Sequence, residues 1–191
     1  MPRLIDPVIA PGSLSNGPQP TLVVDDRSLL RPWTLDDIPV VVAAYGDAEI
    51  QRWIPYSFDA QEAERVIGRW TATWQNETGA CWAIAQESDN VAFGRFAFQT
   101  IDFIGGSAEI AYWLLPQFRA KGYASLAVTV ICDWAFGQLG LHRVQLIHSV
   151  HNVASCRVAQ GAGFDLEGTL RSECQYQDGW HDTHLHARVR E

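Results

Sequence analysis

One segment constrains the fold of this chain more than any other: a strand-like run that stops at a proline and passes through a basic turn into a helix. It spans residues 108–124, with the sequence AEIAYWLLPQFRAKGYA. The strand is predicted to end at Leu115, and Pro116 terminates it. From Gly122 to Leu139 apolar residues recur at helical spacing. A helix that starts in this way exposes unpaired N–H groups and the positive end of its dipole, which together make an anion site.

The turn itself has a composition that suits a pyrophosphate. Gly122 lets the backbone approach a ligand closely, and Ala124 keeps the first helical turn open. Arg119 and Lys121 add positive charge. The alternative is an ordinary strand-to-helix turn with two solvated cations, and one small glycine turn does not decide between the two.

Strands and helices are predicted over the rest of the body as well, which indicates a single α+β or α/β domain. Strands are predicted at 28–31, 80–86, 91–99, 107–115 and 143–149, and from Phe164 onward, with a turn at 177–179. Helices are predicted from Leu35 after an N-cap at Thr34, from Asp59 to Gln75, from Gly122 to Leu139 and from Asn152 to Gln160. Residues 22–191 are expected to form this domain, and residues 1–21, with five prolines, an extended or mobile arm that drapes over the body or reaches a partner subunit.

Composition excludes several classes of protein. The 191 residues are 47% hydrophobic and include eight tryptophans, which is incompatible with a disordered body. We expect neither a membrane span nor a signal peptide. The net charge of −8 and the lack of a basic cluster argue against nucleic-acid binding; the acidity mildly favours a cationic acceptor, although it also fits ordinary solubility. Four widely spaced cysteines without a CxxC pair predict reduced thiols and a cytoplasmic protein.

Three stretches in order resemble the GNAT N-acetyltransferase superfamily, and in particular the branch that contains ribosomal-protein-alanine N-acetyltransferases. Its CoA-binding signature, [R/Q]-x-x-G-x-[G/A], is matched by Arg119, Gly122 and Ala124. The stretches are EIAYWLLPQFRAKGYA, WAFGQLGLHRVQ and HNVASCRVAQGAGFDLEGTLR. The resemblance implies a mixed, mostly antiparallel sheet flanked by helices and splayed open beside its fourth strand.

The resemblance also implies how acetyl-CoA would be held. Backbone groups of Trp113, Leu114 and Leu115 would pair with the pantetheine arm as an added strand does. Asn152 would contact the cofactor from the other side of the gap, and it also fits an ordinary helix N-cap. The pyrophosphate would be held by N–H groups from the turn residues Arg119, Ala120, Lys121, Gly122, Tyr123 and Ala124.

Acyl transfer to an amine needs a neutral amine, a stabilised oxyanion and a protonated leaving thiolate. Glu109, at the start of the fourth strand, is the candidate base, with a structural strand-edge role as the alternative. Many relatives carry a tyrosine four residues before Gly163-Phe164 as the acid, but here that position is Ala159. The resemblance to Asn-x-x-Ser branches makes Ser155 the candidate acid instead, and the N–H of Leu114 the oxyanion donor. Tyr112 is predicted to lie on the opposite face of the strand from Glu109, in the core.

The acceptor side is less determined by sequence. Trp53 and His186 are candidate acceptor-pocket residues, with packing as the alternative for both. No metal site is expected, because in a strand His181 lies on the opposite face from His184 and His186. The acceptor is expected to be a protein N-terminal α-amine, or alternatively a small molecule such as a polyamine, an antibiotic or an amino-acid-like compound. A non-catalytic CoA-binding module is the alternative of another class, and exposed strand edges make a homodimer an open option.

Overall fold

Eight strands form one sheet in the order β1-β2-β3-β4-β5-β6-β8-β7 in this computed structural model, which describes residues 4–191. Every neighbouring pair is antiparallel except β5 and β6, which run parallel. This confirms the predicted mixed, mostly antiparallel sheet. The strands are β1 Leu22–Val23, β2 Ser28–Pro32, β3 Ala80–Gln86, β4 Ala92–Asp102, β5 Ser107–Leu114, β6 Arg143–Ser149, β7 Asp165–Tyr176 and β8 Gly179–Val189.

Helices cover both faces of the sheet. One apolar cluster joins the first three helices to one face, and another joins the last two to the opposite face. The helices are α1 Ile38–Tyr45, α2 Ala48–Trp53, α3 Ala60–Gln75, α4 Tyr123–Trp134 and α5 Val153–Gly161. Short 3-10 turns precede α1 and α4, at Leu35–Asp37 and Pro116–Phe118, and a π-helical turn, Ala135–Leu139, follows α4. No helix within residues 4–191 has the length and apolarity to cross a membrane.

Helix α3 begins where the sequence predicts. The Asp59 carboxylate accepts from the Glu62 N–H at 2.8 Å, and the Glu62 carboxylate accepts from the Asp59 N–H at 2.9 Å. This reciprocal capping box satisfies two N–H groups at the helix start. The predicted apolar stripe of α3 is buried against the sheet.

Two elements escaped prediction because they are short. Helix α2 has only six residues, too few for a helical period to register, and β1 has two. The Asp47 side chain caps α2 by accepting from the Ile50 N–H at 3.0 Å. The helix predicted from Leu35 is a 3-10 turn that continues as α1, and the one predicted to reach Leu139 changes to π-helical geometry at Ala135.

Strands β5 and β6 separate partway along their length. They pair only from Ser107↔Arg143 to Glu109↔Gln145. Beyond that point β5 stays with β4 as far as Leu114, while β6 follows β8 as far as Ser149. The sheet therefore opens beside β5, the fourth strand if the two-residue β1 is left out, as the resemblance implies.

The segment before β1 lies on the body. Residues 4–21 contain turns and bends but no helix or strand, and residues 1–3 of the predicted arm lie outside the described residues. Ile9 and Leu14 are each only 1% exposed and join the core. The Glu77 carboxylate, just after α3, accepts from the N–H groups of Gly12, Leu14 and Ser15 at 2.8, 2.9 and 3.2 Å.

Candidate active site

A cleft of about 1330 Å³ occupies the opening between β5 and β6. Its walls are β5 from Glu109 to Leu114, the start of α4 and the start of α5, with α2 and the β7–β8 hairpin at one end. Because the two strands part, side chains from both faces of the sheet reach the same space. This explains why Glu109 and Tyr112 both line the cleft, although strand alternation turns them to opposite faces.

The start of α4 presents unpaired N–H groups to the cleft. Its N-cap is Gly122, in the left-handed region at φ 87°, and Gly122 has no side chain to accept from the first turn. The first intrahelical bond runs from Leu126 N–H to Gly122 C=O at 3.2 Å. The N–H groups of Tyr123, Ala124 and Ser125 therefore have no partner within the helix. A Cβ at Gly122 would meet nothing within 4 Å, so the space in front of these groups is open.

The two cations of the turn, Arg119 and Lys121, were expected to add charge to the anion site, but their contacts lie elsewhere. The Arg119 guanidinium pairs with Glu49 and, at 3.0 Å, with Asp47, and its Nε donates to the Leu114 C=O at 3.0 Å. Burial acts to raise the pKa of Asp47, but the Ile50 N–H and Arg119 outweigh it and hold that pKa below its usual range. Arg119 thus ties the turn to α2. Lys121 is exposed, with its ammonium 5.5 Å from the centre of the Phe118 ring.

The backbone hydrogen-bonding groups of successive β5 residues point alternately to β4 and to the gap. The Leu115 N–H donates to the Phe93 C=O at 2.9 Å, so Leu115 belongs to the pairing with β4. By antiparallel alternation Trp113 also pairs with β4, whereas Leu114 and Tyr112 turn their backbone groups to the gap. The backbone groups of Trp113 and Leu115 are therefore paired and cannot hold the pantetheine arm as expected, whereas those of Leu114 face the gap. Trp113 contributes instead through its buried side chain, which packs edge-on against Tyr45 with ring centres 6.0 Å apart.

Asn152 and Ser155 meet at the start of α5, as the Asn-x-x-Ser pattern predicts. The Asn152 side chain accepts from the Ser155 N–H at 3.1 Å, so the N-cap interpretation is confirmed. The Tyr112 hydroxyl donates to Ser155 Oγ at 3.2 Å across the gap. Tyr112 also stacks on Phe96, with ring centres 5.4 Å apart, so it is partly core and partly cleft. Burial raises the pKa of Tyr112 to about 12, which keeps its hydroxyl protonated.

Three carboxylates line the cleft, at Glu49, Glu109 and Glu173. Glu109 is half-buried and accepts from Gln99 Nε2 at 2.5 Å. Glu173, which the sequence did not single out, lies in β7 and accepts from Thr183 Oγ1 at 3.3 Å. Glu173 lies within the stretch between Leu170 and Cys174 where the register of β7 against β8 shifts. Simple strand alternation therefore could not predict that its side chain faces the cleft.

The two acceptor-side candidates differ in position. Trp53, at the end of α2, lines the cleft and packs edge-on against Tyr176, with ring centres 5.8 Å apart. His186 is 0% exposed and stacks on His148 behind the cleft wall, so its assignment to the acceptor pocket is wrong. The imidazoles that line the cleft are those of His148, from β6, and His151, just before α5.

Comparison with known proteins identifies the family. The sequence model described as an acetyltransferase (GNAT) domain matches residues 27–165, well over half of the chain. The chain therefore belongs to the GNAT acetyltransferase family.

Curated relatives are N-acetyltransferases. The chain is 28% identical to the uncharacterized N-acetyltransferase YoaA of Bacillus subtilis, a match that covers 86% of this chain and 94% of YoaA. It is 33% identical to the ribosomal-protein-serine acetyltransferase of Escherichia coli, over 50% of this chain and 54% of that enzyme. It is 27% identical to the spermidine N(1)-acetyltransferase of Vibrio cholerae, over 50% of this chain and 57% of that enzyme.

Solved structures share the fold. RimL, a ribosomal α-N-protein acetyltransferase in complex with coenzyme A, superposes with a TM-score of 0.82 at 22% identity, over 89% of this chain and 98% of that one. The microcin self-immunity acetyltransferase MccE, in complex with acetyl-CoA and AMP, gives 0.78 at 22% identity, over 87% and 94%. With the family, these matches identify this protein as an acetyl-CoA-dependent N-acetyltransferase.

The cleft fits acetyl-CoA on its own geometry. An open helix start suits the pyrophosphate, and a strand edge that has lost its neighbour suits the amide-bearing pantetheine arm. The volume exceeds the roughly 300–1,000 Å³ of common ligand pockets, as a site for two substrates requires.

Proposed function

We propose that this protein acetylates the N-terminal α-amine of a protein or peptide, with acetyl-CoA lying between β5 and β6. The N–H groups at the start of α4 would hold the pyrophosphate. The pantetheine arm would pair with the backbone of Tyr112 and with the Leu114 C=O, which has a second lone pair besides the one that accepts from Arg119. Acetyl-CoA supplies the activated acetyl group. The residues around it bind and orient the two substrates and accept or donate protons.

Ser155 is assigned the hydroxyl hydrogen bond that stabilises the leaving thiolate, which then takes its proton from solvent. When Tyr112 donates to Ser155 Oγ, it occupies one lone pair of that oxygen and the Ser155 hydroxyl hydrogen points elsewhere. Burial raises the pKa of Tyr112 to about 12, so its hydroxyl stays protonated and can donate this bond near neutral pH. Asn152 holds the first turn of α5, and therefore Ser155, in place. This pair takes over the task that a tyrosine at the position of Ala159 would perform.

Glu109 is assigned as the base that receives the amine proton, directly or through a water. The Gln99 amide orients its carboxylate, and the Leu114 N–H is assigned to the developing negative charge on the thioester oxygen. An α-amine has a pKa of about 7.7–8.0 and a lysine one of about 10.4. A larger fraction of an α-amine than of a lysine is already neutral near pH 7, so a half-buried glutamate suffices more readily as the base for an α-amine.

The charge balance of the cleft wall favours a peptide N-terminus over a polyamine as the acceptor. The three glutamates on the cleft wall are accompanied by five arginines, Arg52, Arg69, Arg95, Arg119 and Arg157. A polyamine carries several positive charges and needs an excess of carboxylates, which this wall does not offer. A peptide N-terminus carries one charge, and the aromatic surface of Trp53 and Tyr176 can pack against its first side chains.

The test is a panel of acceptors assayed by acceptor-dependent release of free CoA thiol. One peptide has a free α-amine and no lysine. Its matched control has an acetylated N-terminus and one internal lysine, and spermidine is the third acceptor. We expect kcat/KM for the free α-amine to exceed the other two at least about tenfold, and to rise with pH up to about 8. Faster turnover of spermidine would overturn the proposal in favour of a small-molecule enzyme.

The cytoplasm is the compartment we propose. All four cysteines are free thiols, as is usual where glutathione and thioredoxin keep proteins reduced.

A further inference from the structure

A group of three imidazoles, one on the cleft wall and two behind it, has no role in the acetyl transfer described above. His148, His184 and His186 lie on one face of the paired strands β6 and β8. His148 is directly opposite His184, and His186 is two residues further along β8, opposite Leu146. Cys156, in the first turn of α5, covers the same face. One donor atom from each of the four residues lies within 4.8 Å of every other.

The ring nitrogens in this group are buried without hydrogen-bond partners among residues 4–191. They are Nε2 of His148, Nδ1 of His184 and both nitrogens of His186. His148 is 6% exposed and His186 0%. Buried polar atoms in folded proteins almost always have a partner, so a group of orphaned nitrogens that converges on one point indicates a missing ligand.

The tautomer of His148 favours a cation as that ligand. Its Nδ1 lies 2.8 Å from the Ser149 C=O, and since a carbonyl can only accept, this nitrogen carries the hydrogen. Nε2 is then left with a lone pair. A backbone carbonyl behind one imidazole nitrogen is the usual support for a histidine that binds metal through the other.

We propose that His148, Cys156, His184 and His186 form a Zn²⁺ site that fastens the first turn of α5 to strands β6 and β8. Three imidazoles and a thiolate are a tetrahedral set that suits zinc. With bonds of about 2.0–2.3 Å, tetrahedral geometry places donor atoms roughly 3.3–3.8 Å apart, so small side-chain rotations close the site. On binding, the Cys156 thiol releases its proton to solvent and a Zn–S bond forms, while each imidazole binds through a neutral nitrogen. The site is one residue from Ser155.

This site could not be recognised from sequence spacing, because its ligands come from three elements. Two histidines lie in β8, and the other two ligands lie about thirty residues earlier, on β6 and α5. Only the register of β6 against β8 brings His148 opposite His184. The expectation of no metal site considered the β8 histidines alone.

The experiment uses the full chain without an affinity tag, treated with a chelator and then titrated with Zn²⁺ or Co²⁺. We expect one equivalent of Zn²⁺ by elemental analysis and a higher midpoint of thermal unfolding. Co²⁺ should give the strong visible bands of tetrahedral coordination together with a sulfur-to-cobalt charge-transfer band. In Cys156→Ser that charge-transfer band should disappear and the affinity for Zn²⁺ fall at least about tenfold; in His184→Gln the affinity should fall as well.

Two control variants make the result decisive. Cys174→Ser removes another half-buried cysteine, one that lines the cleft, and His142→Gln removes an exposed histidine elsewhere. Both should bind Zn²⁺ as the unaltered protein does. The proposal is overturned if no metal binds, if the charge-transfer band persists in Cys156→Ser, or if His142→Gln abolishes binding.

Discussion

The hydroxyl groups of Tyr112 and Ser155 meet at 3.2 Å across the gap between β5 and α5. In the proposed mechanism, these two neutral side chains together perform the task of the tyrosine that Ala159 replaces. Tyr112 is assigned to position the serine, and Ser155 lines the cleft, so their substitutions should reduce activity by different amounts. The carboxylates of Glu109 and Glu173 are the other residues whose roles single substitutions can separate.

Ser155→Ala should lower kcat by about 10²-fold, because one hydrogen-bond donor aimed at charge that develops in the transition state contributes roughly 10²–10³. Tyr112→Phe removes only the hydrogen bond that orients Ser155 and should lower kcat less, by about tenfold, with KM for acetyl-CoA nearly unchanged. Steady-state kinetics of both variants and of the double variant measure this. If the double variant shows the product of the two single losses, the residues act independently and the proposed pairing is wrong.

Glu109→Gln should reduce kcat/KM by about 10²-fold or more at neutral pH and remove the basic group from the pH profile. Glu173→Gln is its matched partner, since it neutralises another carboxylate on the same cleft wall, and its effect should stay within a few-fold. The pH dependence of kcat/KM for both variants is the measurement. A large loss in Glu173→Gln with little change in Glu109→Gln would transfer the role of base to Glu173.

At the scale of elements, the start of α4 combines two properties that depend on one residue. Gly122 adopts φ 87°, a conformation that L side chains rarely take, and its lack of a side chain leaves the first N–H groups of the helix open. The pairing of Arg119 with Asp47 and Glu49 holds the preceding turn to α2. The basic residue in the motif therefore positions the loop, while the backbone is left to bind the anion.

Gly122→Ala should destabilise the fold by about 1–2 kcal/mol, since a left-handed conformation strains a residue with a Cβ, and should raise KM for acetyl-CoA several-fold. Gly68→Ala is the matched control. Gly68 is exposed within α3, and a Cβ there also meets nothing within 4 Å. The control should gain up to about 1 kcal/mol from helix propensity and keep its KM. Urea unfolding and initial rates measure both, and an unchanged KM in Gly122→Ala would contradict the role assigned to this turn.

At the scale of the whole molecule, the segment before β1 belongs to the folded body as far as it is described. Besides Ile9 and Leu14 in the core, two indole N–H groups bind its backbone: Trp74 donates to Gly17 C=O at 2.8 Å and Trp82 to Pro20 C=O at 2.9 Å. The Glu77 carboxylate accepts hydrogen bonds from three backbone N–H groups of the segment. Burial acts to raise the pKa of Glu77, but these three N–H groups outweigh it and lower that pKa.

Glu77→Gln should lower the free energy of unfolding by about 1–3 kcal/mol at pH 7, the range for losing charge-assisted hydrogen bonds. Because the pKa of Glu77 is lower in the folded state, its contribution is full above the unfolded pKa of about 4.3 and is lost as pH falls through the folded value. Urea unfolding from pH 7 to pH 3 should show the difference between the proteins shrinking. A constant difference across that range would refute the ionic contribution.

Short-range sequence signals predicted most of the helices and strands. The side-chain positions in the site that depend on pairing between distant strands could not be predicted in this way. Asp59, Pro116 and Gly122 act within one turn of chain, so the boundaries they set were accessible from sequence. The position of Glu173 depends on an irregularity in β7, and that of His148 on pairing with β8. The orientation of Arg119 depends on α2, some seventy residues earlier. No period in a single sequence encodes such contacts.

The structure of the protein with coenzyme A bound tests the central claim most directly. We expect the pantetheine arm between β5 and β6, paired with the backbone of Leu114, the pyrophosphate at the N–H groups that follow Gly122, and the thiol within hydrogen-bond reach of Ser155 Oγ. Coenzyme A bound outside this gap, or a thiol remote from Ser155, would contradict it.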